Sequence, residues 1–379
     1  MKRNTFLTVF LLTLAQGISW AQVFYFEPGF DLGHHTPFST KHAYIIDYPH
    51  YGFDLRIGKG HQGFLIGYTH HTLDSVIYYT HEGNQYGSIG DCFSLTYFVD
   101  GHAYKGKRWS FDYDIIYGAD LWTRHGNEML GSALNFHVSL DLGPTIRLNE
   151  RLDAAFRYGY YHSSNGATFL PNNGINTHFL RMALRYYPDG KTEPIQSESK
   201  SFEKKNNLMI SEGMGWLQTY TRLDGQLPNE TPFFFGNTFR IGFSRQFHPR
   251  FRWDVAVDFL WTGETRYRYE LLGENYHPWN AVHFATSADF EAQFGRIAFC
   301  AGTAYYLYHG IYANTTEHKS WGKLTEFEKN HLPEFYTPYY ERIGCKLYFD
   351  KNRNYFFGTF LKIHFNSIDH IEWTFGCNL

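Results

Sequence analysis

Long apolar runs are almost absent from this chain. Beyond the first 21 residues nothing approaches the roughly 18 consecutive apolar residues that a membrane-crossing helix needs, so a helical span is excluded. Cysteine is scarce as well: Cys92, Cys300, Cys345 and Cys377 lack metal-ligand spacing and fall inside expected strands. Two of them, Cys345 and Cys377, share phase with apolar neighbours. They read as small hydrophobes, the other reading being a disulfide that sequence cannot assign. Charge of one sign is also missing, since the formal net charge is -3. A balance that weak and that acidic gives nucleic acid nothing to bind.

Aromatic residues are what the chain has in excess. They make up 20% of it, with 30 Tyr and 36 Phe, although the mean hydropathy of -0.43 is that of a water-soluble domain. Alternation reconciles the two values, because a barrel wall with lipid outside and polar groups inside averages to polar.

The N-terminus carries Lys2 and Arg3, an apolar stretch from Phe6 to Ile18, and then Ser19-Trp20-Ala21 before Gln22. A charged region, an apolar region and a small-x-small site mark residues 1–21 as a secretory signal peptide. The mature chain is expected to start at Gln22, with 32 basic against 37 acidic residues. No Cys follows the cleavage site to take a lipid anchor.

Period-two alternation then dominates. Trp109, Phe111, Tyr113, Ile115 and Tyr117 alternate with Ser110, Asp112, Asp114, Ile116 and Gly118. In the second half Phe251, Trp253, Val255, Val257 and Phe259 alternate with Arg252, Asp254, Ala256 and Asp258. The pattern predicts strands at 23–32, 50–58, 62–70, 88–99, 107–120, 131–147, 151–164, 177–188, 207–219, 233–247, 250–262, 279–293, 295–308, 337–349, 354–365 and 369–379. Short turns such as Asn149-Glu150 and His248-Pro249 alternate with long polar segments, among them 71–87, 165–176 and 263–278. Short connections on one side and long ones on the other are the pattern of an antiparallel outer-membrane β-barrel.

Residues 189–206, charged and containing Pro and Ser, interrupt the pattern on the expected periplasmic side. The favoured reading is an all-β chain forming one transmembrane barrel of about 16 strands, with 189–206 as a long turn. The alternative is two eight-stranded units, 22–188 and 207–379, with 189–206 as the link.

Residues 152–164 place Leu152, Ala154, Phe156, Tyr158, Tyr160, His162 and Ser164 on one face. A nucleophile and its base would thus continue an apolar stripe, an arrangement suited to a lipid substrate. The run H-S-S-N-G-A-T-x-x-P-N-x-G-x-N follows at the outer rim, and Asn176 shares parity with Leu180, Met182 and Leu184 on the returning strand. The 165–175 loop can therefore bring Asn176 back towards His162.

Residues 131–187 resemble the catalytic half of the PagL-type lipid A 3-O-deacylases, particularly the longer members labelled acyloxyacyl hydrolases. The resemblance extends weakly to the closing strands around YERIGCKLYF and FLKIHFNSIDHIEWTFG. It implies a Gram-negative outer-membrane esterase that removes an ester-linked acyl chain from lipid A of lipopolysaccharide in the outer leaflet, using a lipid-facing serine and histidine and neither metal nor cofactor. Carried over by position, Ser164 is the nucleophile and His162 the base. Asn165 and the backbone N–H of Gly166 would stabilise the oxyanion, and Asn172 would fix the loop. Family members with a full triad carry Glu where this chain has Asn176. An amide oxygen can still orient an imidazole, so the departure leaves a slower site, an acid supplied from elsewhere, or an inactive relic. Glu372 is a poor source of that acid, because its parity points into the lumen.

Several other features stay secondary. The pairs His34-His35 and His70-His71 fall in expected loops and hint at metal, but no third ligand is spaced for a site. Lumenal charges such as Arg157, Arg181, Arg185, Asp112, Asp114 and Asp141 read as a solvated or salt-bridged interior. Lys319, Trp321, Lys323 and Lys329 in segment 309–336 could meet lipopolysaccharide phosphates, or simply be solvated. The rival class is a passive barrel, either a small-solute channel or a lipid-binding surface protein.

Overall fold

The structure is a computed structural model that describes residues 23–37, 40–191, 204–219, 226–273, 275–309, 339–350, 352–364 and 367–379. The signal-peptide segment 1–21, most of the 189–206 link and the lysines of segment 309–336 lie outside the described residues.

The chain divides into two compact units. The first contains β1 (Phe24–His35), β2 (Pro49–Lys59), β3 (Gln62–His71), β4 (Val76–Thr80) as far as Tyr78, β5 (Gly83–Gly87) from Asn84, β6 (Asp91–Lys105), β7 (Trp109–Trp122), β8 (Leu134–Arg147), β9 (Leu152–Ser164) and β10 (Ile175–Tyr186). Eight of these close into a barrel in the order β1-β10-β9-β8-β7-β6-β3-β2, while β4 and β5 form a separate hairpin. The second unit contains β11 (Lys205–Gln218), β12 (Phe233–His248), β13 (Phe251–Thr262), β14 (Val282–Phe294), β15 (Ile297–His309), β16 (Tyr339–Tyr348), β17 (Tyr355–His364) and β18 (Ser367–Asn378). These also close into a barrel, β18 returning to β11.

The single 16-stranded barrel is therefore corrected to two barrels of eight. Closure is decided by the free edge of β10, which pairs antiparallel with β1 from Phe26↔Tyr186 to His35↔Thr177. In the second unit Trp216↔Ile371 to Met209↔Asn378 close the wall in the same way. An eight-stranded barrel has an interior just wide enough for side chains to fill, and both interiors are filled by charge. In the first, Arg56 reaches Asp114 at 2.6 Å and Asp141 at 2.8 Å, and Arg181 reaches Glu27 and Asp54, each at 2.6 Å. In the second, Arg240 pairs with Asp258 at 2.8 Å and Asp289 at 2.7 Å, and Lys346 with Asp254 at 3.1 Å and Glu291 at 2.9 Å. Buried charges of this kind must be paired, so the lumenal residues that alternation exposed become two cross-linked polar cores.

The outward faces are apolar and exposed, as at Phe53, Ile66, Leu95, Leu140, Leu180 and Leu184 in the first barrel. All sixteen expected wall strands are present, with ends displaced by a few residues. The hairpin β4–β5 and the helix α1 (Glu264–Leu272) stand in segments expected to be loops. Neither shows the periodicity that would mark it. Helix α1 is nine residues long and stops at Gly273, whose φ of 68° provides the left-handed C-cap that glycine favours.

The four cysteines are free thiols, and all but the half-buried Cys377 are buried. Cys92 joins Ile45, Leu73, Val76, Ile89, Trp122, Met129, Leu130 and Ile175 in one apolar cluster. These residues come from strand ends and connecting loops on the long-loop side, so the first barrel is roofed there.

Candidate functional site

Strand β9 carries the site because its alternation persists to its end. Phe156, Tyr158 and Tyr160 are exposed, whereas Arg157, Gly159 and Tyr161 are turned inward. His162 continues the outward phase and is half-buried. The inner face is pinned at Ser163, whose Oγ accepts a 3.2 Å hydrogen bond from Trp122 Nε1.

Antiparallel pairing sets Asn176 of β10 directly opposite His162. His162 Nδ1 lies 2.8 Å from Asn176 Oδ1, and His162 Nε2 lies 2.9 Å from Ser164 Oγ. The amide oxygen can only accept, so Nδ1–H donates to it. That tautomer leaves the Nε2 lone pair facing the serine hydroxyl. Tyr160, two residues before His162, donates its hydroxyl to the same amide oxygen at 3.0 Å. Ser164, His162 and Asn176 are thus brought into one hydrogen-bonded row, and Tyr160, which sequence reasoning did not single out, joins it. Its parity with His162 was the available signal.

Ser164 differs from the lipid-facing expectation in being fully buried. The returning loop covers it where Gly174, at φ 70°, passes over the dyad. A Cβ on Gly174 would stand 2.8 Å from His162 Cε1 and 3.2 Å from Ser164 Cβ. Only a residue without a side chain can make that approach in a left-handed conformation. Neighbouring bonds fix the loop: Gly174 N–H donates to Met129 O at 2.9 Å, and Asn173 Nδ2 to Glu128 O at 2.6 Å. Glu128, outside the strands, accepts from Tyr44 at 2.5 Å and from Ile77 N–H at 3.0 Å and lies 3.4 Å from His42. Burial would raise its carboxyl pKa, but hydrogen bonds from His42, Tyr44 and Ile77 outweigh that and hold it below the usual range.

The residues expected to stabilise an oxyanion occupy the segment just after Ser164. Asn165 O accepts Thr168 N–H at 3.3 Å, closing a turn whose central residues, Gly166 and Ala167, have φ of 59° and 58°. Asn165 Nδ2 donates to Phe169 O at 2.9 Å, and Asn165 N–H donates to Asn172 Oδ1 at 3.2 Å. Asn172 thereby ties the two ends of the 165–172 segment together. Asn165 commits part of its amide to the same task. Glu372 is buried and bonded to Arg342 at 2.5 Å in the second barrel, in keeping with its lumenal parity.

Residues 63–185 match the family model described as lipid A 3-O-deacylase (PagL). The matched segment runs from β3 to β10 of the first barrel. No curated protein matches the sequence. Among solved structures, an outer membrane channel from Pseudomonas putida F1 is 6% identical, with 96% of this chain and 97% of that one covered and a TM-score of 0.19. OccD3 (OpdP) of Pseudomonas aeruginosa is 9% identical, covering 96% and 93%, with a TM-score of 0.22. OccAB1 of Acinetobacter baumannii is 9% identical, covering 94% and 95%, with a TM-score of 0.24. Scores this low carry no argument, and the fold rests on the strand pairing above.

Proposed function

We propose that this chain, with a PagL-family segment in its first barrel, is an outer-membrane esterase that removes an ester-linked acyl chain from lipid A. The observation that carries the reading is the aligned relay from Ser164 through His162 to Asn176 at the end of an apolar outward stripe. Both apolar outer walls suit a bilayer, since such large exposed apolar surfaces are not left to water. Substrate would reach the site from the outer leaflet of a Gram-negative outer membrane, the protein having been exported by its N-terminal segment.

In the first step Ser164 Oγ attacks the acyl carbonyl as its proton passes to His162 Nε2. Asn176 Oδ1 and Nδ1–H hold the imidazole in place while it carries positive charge. Gly166 N–H and the Asn165 amide are the proposed donors to the oxyanion, each worth about 3 kcal/mol of barrier where it is aligned. Collapse expels the sugar alkoxide, which takes the proton from His162. Water then gives a proton to Nε2 and attacks the acyl-serine, releasing the fatty acid and restoring Ser164.

The cross-linked lumens speak against the solute-channel reading, because Arg56 and Arg240 bridge carboxylates across the space that a pore would need. Purified protein folded in detergent and mixed with lipopolysaccharide tests the esterase directly. Free fatty acid is expected from wild type and not from Ser164→Ala; equal release from both removes Ser164 as the nucleophile.

A further inference from the structure

Three histidines of the first barrel converge under its apolar roof. His35 ends β1, His50 is the second residue of β2, and His71 ends β3. Register brings them together, since His50 pairs directly with His71 and lies opposite Gly33 of β1. All three are at most 1% exposed. Their ring centroids are 5.1–5.8 Å apart, and one nitrogen from each lies within 4.8 Å of the others.

Hydrogen bonding leaves this cluster incomplete. His35 Nδ1 and both ring nitrogens of His50 are buried without a hydrogen-bond partner. Buried polar atoms without partners are uncommon and call for an explanation such as an ion. Phenylalanine would fill the same space against Trp122, whose ring lies 4.7 Å from that of His71, and would leave nothing unsatisfied.

We propose that His35, His50 and His71 bind one transition-metal ion of the Zn(II) class. His71 Nδ1 and His35 Nε2 stand 3.4 Å apart. Two ligands at about 2.0–2.1 Å on a tetrahedral ion are separated by roughly that distance, so two of the three already have ligand spacing. A small rotation of the His50 ring supplies the third. Neutral imidazoles suit zinc, copper, nickel or iron, whereas calcium and magnesium need an oxygen cage. The Asp31 carboxylate, 3.7 Å from His50 Nε2, is placed to orient that ring, as carboxylates behind metal-bound histidines do. Tyr161 OH, 3.5 Å from His71 Nε2, holds the other nitrogen of that ring and leaves Nδ1 to the ion. A lumenal cavity is lined by Asp31 and Tyr161, the two residues that stand behind His50 and His71.

This site is separate from the esterase relay, although both use neighbouring residues of β9. Trp122 packs on His71 and bonds to Ser163, and Tyr161 precedes His162. A bound ion would brace the strand from inside without touching the acyl chain.

The test uses the untagged full chain, folded in detergent, stripped with a chelator and dialysed against Zn(II) or Co(II). Elemental analysis should find one zinc per chain, and Co(II) should give the strong visible absorption of a four-coordinate site. His50→Gln and His71→Gln, each checked for the heat-modifiable gel shift of a folded barrel, should bind at least tenfold more weakly. His81→Gln and His125→Gln, exposed outside this cluster, should bind as wild type does. Folded wild type that takes up no ion overturns the proposal without reference to any variant. Stoichiometric binding unchanged in whichever cluster variant folds overturns it equally.

Discussion

The carboxamide oxygen of Asn176 sits 2.8 Å from His162 Nδ1, the two residues facing each other in the β9–β10 ladder. That pairing fixes the imidazole with Nε2 towards Ser164 and puts a neutral group, not a carboxylate, behind Nδ1. An amide orients the base but adds no charge to offset the imidazolium formed during attack. The consequences can be measured at each member of the relay.

His162→Gln should lower kcat for fatty-acid release by about 10²–10⁴-fold, the usual contribution of a positioned base. The half-buried residue lies at the end of its strand, so barrel folding on a gel should persist. A folded variant with unchanged kcat would remove His162 from the mechanism.

Asn176→Glu should raise kcat by about tenfold, because a hydrogen bond to a charged acceptor is roughly twice as strong as a neutral one. The Tyr160 hydroxyl, 3.0 Å from the present amide oxygen, would supply the carboxylate with a second donor. Asn176→Ala should move kcat the other way by about two- to tenfold, the worth of one neutral hydrogen bond. Steady-state rates of the two variants decide the point; a slower Glu variant would show that burial of the charge outweighs its benefit.

Gly174→Ala should disable the site while leaving the barrel folded. Its Cβ would press on His162 Cε1 at 2.8 Å, and φ of 70° adds about 1–2 kcal/mol for any residue with a side chain. Fatty-acid release should fall while barrel migration on a gel is retained, and normal activity would mean that the loop does not hold the dyad as described.

The first barrel's roof should loosen in acid. Glu128 has a depressed folded-state pKa, so its stabilisation is complete above the unfolded value and is lost as pH falls through the folded one. Hydrogen exchange at Ile77 N–H, which Glu128 accepts at 3.0 Å, should accelerate below about pH 4 relative to intrinsic rates. Glu128→Gln should abolish that dependence; an unchanged profile would assign it to another group.

Much of this was legible in the chain because alternation is a local property. The stripe Phe156, Tyr158, Tyr160, His162 survives intact into β9, and the parity of Asn176 placed it beside His162. Closure was not legible, because a run of outward-apolar strands reads the same in one large barrel as in two small ones. Only the distant pairing of β10 with β1 separates them; Arg157, Arg181, Arg185, Asp112, Asp114 and Asp141 read equally as a solvated or a salt-bridged interior, and their ion pairs are seen only in the structure. The burial of Ser164 was hidden for a related reason, since it depends on the course of a loop through Gly174. His50 was overlooked as a companion of His35 and His71 because strand register, not sequence spacing, assembles them.

Mass spectrometry of lipid A from cells making wild type or Ser164→Ala, each confirmed as a folded barrel in the outer membrane, tests the central claim most directly. The account predicts lipid A lacking one acyl chain with wild type and intact lipid A with the variant. Unchanged lipid A in both, across hosts with different acylation patterns, or the same loss in both, would contradict it.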